Sequence, residues 1–361
     1  MTPPDLRTVI GSSRVVICCG SGGVGKTTVA AAMGIAAALL GRRACVITVD
    51  PARRLADALA VGSLANTPEP IEGSWTGSLD AMALDAKATF DDLVRGHAPD
   101  PEQAERILTN RLYQNLVTTL SGTQEYMATE KLHELLEEGR YDVVVVDTPP
   151  SRNALDFLAA PERLAGFLDN RVMRMLLAPA RSGLRVAGLA SELVLRNLGR
   201  VAGKAIVEDT IGFFRAFAGM EEGFRRRADA VRQVLDSDES SFVLVASPRL
   251  DAISEADFFA EAIAGRGLGV AAVIVNRVHP DFGPPVQSAA GSTLADAPWD
   301  ALARNLAEMA AIVANEAQTI EEIGRRFAPT PVTRLPLAAS DIHDLSALDD
   351  LARRMLSGTI R

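Results

Sequence analysis

The chain has 361 residues, 48% hydrophobic and 23% charged, a balance that can fill a sizeable core and excludes an intrinsically disordered chain. Its 37 basic and 46 acidic residues give a formal net charge of −9, which argues against a surface built as a whole to hold nucleic acid. The three cysteines, Cys18, Cys19 and Cys45, lack metal-ligand spacing, so neither a disulfide framework nor a cysteine-type zinc site is expected and a reducing compartment fits.

The N-terminal segment, Met1 to Arg7, lacks the basic-then-apolar layout of a signal peptide. No apolar run reaches the ~18 residues of a membrane-spanning helix, so a soluble, cytoplasmic protein is expected. Val15 to Cys19, Ala44 to Val49, Val143 to Val146, Phe242 to Ala246 and Val270 to Val275 are nearly continuous β-branched runs. Such runs predict strands buried on both faces, as in a parallel sheet covered by helices. Leu79 to Leu84 and Val332 to Pro336 are weaker strand candidates. Helices are predicted over Thr27 to Leu40, Gln103 to Leu120, Gln124 to Glu138, Ser254 to Ala264 and Asp300 to Phe327, and Pro280 to Pro298 reads as a long loop. Strand–helix–strand repetition gives an α/β fold with right-handed crossovers. The rhythm breaks between Ser151 and Asp238, where only helical patterns occur. The expected organisation is therefore a first core part over 1–150, an inserted α-helical subdomain over 151–238, and a second core part over 239–361.

The stretch Gly20-Ser21-Gly22-Gly23-Val24-Gly25-Lys26-Thr27-Thr28 follows the first strand and opens the first long helix. It matches G-x-x-x-x-G-K-[ST], the P-loop pattern of nucleoside triphosphatases. Glycines let backbone N–H groups turn around phosphate oxygens, and the helix N-terminus adds partial positive charge. Lys26 is expected to reach the β- and γ-phosphates, and the Thr27 hydroxyl to ligate magnesium. Asp147 ends a buried strand before Thr148-Pro149-Pro150, as a Walker B aspartate held near the metal's water shell would. Asp50 ends the second strand before Pro51. Polar residues at the C-terminal ends of parallel strands lie where such sheets place their ligand crevice.

The glycine loop, Asp50-Pro-Ala, Asp147-Thr-Pro-Pro, Ser247-Pro, Asn276 after Val273-Ile-Val, and Leu335-Pro-Leu occur in that order. In this the chain resembles the ArsA family of deviant-Walker ATPases, which includes arsenite-pump ATPases and the Get-pathway targeting ATPase. The resemblance covers most of the chain and is closest to the bacterial, anion-transporting ATPase-like branch. It implies ATP and Mg²⁺ as ligands, and hydrolysis that switches a dimer between arrangements. By the same resemblance Asp50 orients the attacking water, residues 147–153 couple the phosphate state to the helical subdomain, and Asn276 bonds adenine. Two departures stand out. The family's signature lysine, which crosses the dimer interface to the opposing phosphates, is Ser21 here. No cysteine lies beyond Cys45, so zinc-clasp and arsenite-binding cysteines have no counterpart. The alternative is a nucleotide-sensing scaffold with little intrinsic ATPase, paired in a heterodimer with a lysine-bearing paralog. A positioning ATPase of the ParA or MinD type shares the loop but is expected to lack so large an insert.

Within the insertion, Arg171, Arg174, Arg181, Arg185, Arg196, Arg200 and Lys204 are opposed only by Glu192. Segment 171–204 reads either as a solvated helix flank or as a docking surface for an anionic membrane or acidic partner. Nucleic acid is disfavoured, because no aromatic residue interleaves the charges.

Overall fold

The computed structural model describes residues 5–50, 54–119, 123–149, 157–160, 162–163, 166, 213, 220–283, 296–342 and 344–357. Most of the segment 151–238, including the basic stretch 171–204, lies outside the described residues, as does the greater part of the loop expected over 280–298.

Eight strands form one sheet: β1 (Val15–Gly20), β2 (Arg43–Thr48), β3 (Glu69–Ile71), β4 (Ser78–Ala83), β5 (Val143–Asp147), β6 (Ser240–Ala246), β7 (Val270–Val278) and β8 (Val332–Pro336). Their spatial order is β3-β4-β2-β5-β1-β6-β7-β8. All neighbours pair in parallel except β3 with β4. The exception is an edge strand of three residues containing Pro70, which cannot donate to a ladder and so belongs at an edge.

Every residue of β1 and of β5 is buried, as continuous β-branched runs require when helices cover both faces. Val15, Ile17 and Cys19 join one core with Val144 and Val146, whereas Val16 and Cys18 join the other with Val143 and Val145. The first core is closed by α4 (Ala86–His97), α5 (Pro101–Leu108), α6 (Arg111–Thr119), α7 (Thr123–Glu137), α8 (Glu221–Leu235), α9 (Leu250–Ala264) and α10 (Asp296–Arg326). The second is closed by α1 (Leu6–Ser12), α2 (Lys26–Leu39), α3 (Arg54–Ala58) and α11 (Leu345–Ser357).

The helix expected over 103–120 is two helices. Asn110 interrupts it: its side-chain oxygen accepts the backbone N–H of Leu112 at 2.9 Å and of Tyr113 at 3.4 Å, capping α6 as a new start. Helix α8, within the expected insertion, packs on the main core through Phe224, Ala228, Val231 and Leu235. It is also tied to α7 by Arg227, whose Nε donates to the buried Glu130 carboxylate at 2.7 Å. No helix among the described residues is long and apolar enough to cross a membrane.

The strand order decides where a ligand can enter. From β1 the chain runs to β2, on the β5 side, whereas from the neighbouring β6 it runs to β7 on the other side, so the connections diverge between β1 and β6 and open a crevice beyond their C-terminal ends. The glycine loop begins at that point.

Candidate phosphate-binding site

The loop is shaped by contacts that admit no side chain at two positions. A Cβ on Gly20 would lie 2.1 Å from the Val245 carbonyl oxygen of the neighbouring strand β6. Gly25, the residue before α2, holds φ +91°, and a Cβ there would lie 2.4 Å from Asn276 Nδ2. Between them the chain turns out of β1 and into α2 as the P-loop pattern anticipates, with Thr27 and Thr28 in the first turn of the helix.

Lys26 is 8% exposed, and its Nζ donates to the Ser21 carbonyl at 2.8 Å across the loop. Burial draws its pKa below the ordinary lysine value, while the nearby Asp147 and Asp50 favour its charged form. Asp147 is 1% exposed, at the end of β5. Its Oδ2 accepts from Thr48 Oγ1 at 2.9 Å, and its Oδ1 is buried with no hydrogen-bond partner. Burial pushes the Asp147 pKa up to about 6, against the opposing pull of Thr27, Thr48 and Lys26. Asp50 lies two residues beyond the adjoining strand β2, which ends at Thr48 rather than at Asp50 as expected. Its amide donates to Thr48 Oγ1 at 3.3 Å, and its carboxylate lies 3.4 Å from the Arg54 guanidinium.

The structure thus brings Gly20–Thr28, Asp50 and Asp147 to one end of the sheet. Asn276 joins them from β7: 7% exposed, it donates Nδ2 to the Val24 carbonyl at 2.8 Å. Ser21, Gly22, Gly23 and Val24 line a cavity of about 510 Å³ together with Ser247, Arg277, His279 and Leu337. A buried carboxylate oxygen without a donor, with a threonine hydroxyl nearby, is a hard-oxygen set suited to magnesium. That ion takes only one or two protein ligands and keeps the rest of its shell for water and phosphate. Among the described residues, no group of three or more His, Cys, Asp or Glu side chains is placed to hold a metal by itself.

The sequence model of the anion-transporting ATPase family matches residues 13–289, which carry the glycine loop, Asp50, Asp147 and Asn276. The chain belongs to that family. An uncharacterized protein of Streptomyces coelicolor is 30% identical over 75% of this chain and 64% of its own length. The chain therefore spans less than two thirds of that relative. A protein of Aquifex aeolicus named as an arsenical pump-driving ATPase is 24% identical over 94% of this chain and 78% of its own. The ATPase get3 of Aspergillus terreus is 23% identical over 76% of each chain.

Two residues of this anion-transporting ATPase family member were not singled out from sequence. Thr48 joins Asp147 to the Asp50 backbone, and a lone hydroxyl at the end of an apolar strand was the available signal. Arg277 donates Nη1 to the Gly23 carbonyl at 2.8 Å, and nothing in the local sequence marks it. All three cysteines are buried, and burial raises each thiol's pKa, that of Cys19 to about 12.

Proposed function

We propose that this chain binds Mg-ATP in the bend between β1 and α2 and hydrolyses it, using the change in phosphate state to switch a dimer. The carrying observation is the buried, donor-free Oδ1 of Asp147 beside Lys26 and Thr27, at the end of a glycine loop shaped for phosphate. Magnesium, when bound, would neutralise charge on the β- and γ-phosphate oxygens. Thr27 and Asp147 would hold it, the latter through water. Lys26 would leave the Ser21 carbonyl for a phosphate oxygen, exchanging a neutral acceptor for a charged one. The loop's backbone amides would stabilise charge developing on the transferring phosphoryl. Asp50, at the mouth of the crevice, would orient the attacking water. An amide carries two donors and an acceptor, so the bond from Asn276 to Val24 leaves capacity for adenine.

Calorimetry with Mg-ATP tests the reading. Heat of association is expected from the wild type and loss of binding from Lys26→Ala. No heat from the wild type would overturn it.

Ser21 supports a second reading. Serine is short and uncharged, so two copies of this chain cannot offer each other's phosphates a cation from this position. On that reading the chain is a nucleotide-sensing subunit that turns over slowly until paired with a lysine-bearing paralog. The family relationship, with relatives named as an arsenical pump-driving ATPase and as get3, supports an ATPase coupled to a partner. We further propose a cytoplasmic location with peripheral contact to anionic membrane through the basic stretch 171–204. The test is sedimentation with vesicles: binding that requires anionic lipid is expected, and equal weak binding to neutral vesicles would overturn it.

A further inference from the structure

Asn276 and Arg277 are consecutive residues of β7, yet both reach the same glycine loop. In an unbroken strand their side chains would leave opposite faces of the sheet. Here Arg277 holds φ +65°, in the left-handed region that non-glycine residues rarely occupy. The register between β7 and β8 shifts between Val275 and Val278, at the same place. Such irregularities re-aim side chains, and strained backbone of this kind concentrates where function requires it. The result is a pair of matched contacts: Asn276 Nδ2 donates to the Val24 carbonyl and Arg277 Nη1 to the Gly23 carbonyl, each at 2.8 Å.

In a trans peptide, a carbonyl and the N–H of the following residue point in opposite directions. Holding the carbonyls of Gly23 and Val24 from the β7 side therefore turns the N–H groups of Val24 and Gly25 away from β7. We propose that Arg277 is a positioning residue for phosphate binding: with Asn276 it clamps two successive peptides of the loop so that their amides face the phosphate before it arrives. The proposal rests on the reading that the loop binds phosphate, and it adds a residue that the loop pattern does not contain.

The clamp and the fold respond oppositely to one substitution. Glycine adopts φ +65° without strain, so Arg277→Gly should leave thermal stability unchanged or higher. The same change removes the bond to Gly23 and frees the loop. The test is calorimetry of the full chain with magnesium tripolyphosphate and with Mg-ATP, alongside a melting temperature for each variant. Arg277→Gly is expected to weaken both ligands by the same factor, about threefold to tenfold, with no loss of melting temperature. Arg277→Lys keeps a charged donor and is expected to restore most of the affinity. Unchanged tripolyphosphate affinity in Arg277→Gly would overturn the proposal, and so would weakening confined to ATP, which would place the arginine at the nucleoside. A wild type that bound neither ligand would instead remove the phosphate reading itself, and the clamp with it.

Discussion

Thr48 and Asp147 face each other as register partners at the ends of β2 and β5, and the threonine hydroxyl donates to the aspartate at 2.9 Å. The same hydroxyl accepts the Asp50 amide, so one small side chain orients the buried carboxylate and the loop that carries the second one. Thr48→Val keeps the shape and removes the donor, taking from Asp147 Oδ2 its bond to β2. A loss of about 1–3 kcal/mol is expected in denaturant unfolding at neutral pH, with Thr48→Ser close to wild type. Equal stability of the valine and wild-type proteins would show that the bond contributes nothing.

Asp147 also predicts a pH dependence. Its folded pKa of about 6 lies above the ordinary value of 3.8, so the folded state binds the proton more tightly than the unfolded chain. The stabilisation from this group is complete below pH 3.8 and is lost as pH rises through about 6. Between those limits the metal-free wild type should lose on the order of 2–3 kcal/mol relative to Asp147→Asn, which has no proton to release. Unfolding of EDTA-treated protein at a series of pH values measures that difference. A difference that stays flat across the range would overturn the assignment.

Gly25 predicts a coupling between loop and strand. Alanine there meets both a left-handed backbone and the Asn276 amide nitrogen, 2.4 Å from the added carbon. Gly25→Ala alone is expected to lose about 2 kcal/mol or more, with nucleotide binding impaired. Asn276→Ala removes the collision and not the backbone strain, so the double variant should lose less than the sum of the two singles. Strict additivity in a double-mutant cycle would contradict the close approach.

Ser21→Lys restores the charge missing from the loop. If the serine limits turnover, single-turnover ATP hydrolysis should rise by on the order of 10²-fold, the scale of one transition-state donor. ATP affinity measured in parallel separates this from altered binding. An unchanged rate with intact binding would leave the serine without a role in slowing hydrolysis.

The central sheet was legible because burial on both faces forces uninterrupted runs such as Val143 to Val146, which little else in a sequence imitates. The glycine loop was legible because its glycines and the Lys-Thr pair fall at the fixed spacing of the P-loop pattern. β3 was not, since three residues around Pro70 carry no alternation to read. The α5–α6 break was written in Asn110, but an apolar period running across it hid the cap. The roles of Thr48 and Arg277 depend on which strands become neighbours and on a shift in register, and neither is a local property of the chain.

The burial of Cys18, Cys19 and Cys45 in β1 and β2 has a practical consequence. Every sulfhydryl the molecule owns is sealed in its middle, and none can meet an alkylating reagent until those strands part. Labelling speed is therefore a built-in clock for opening of the innermost layer, and a tightly held nucleotide should slow it without any engineered probe.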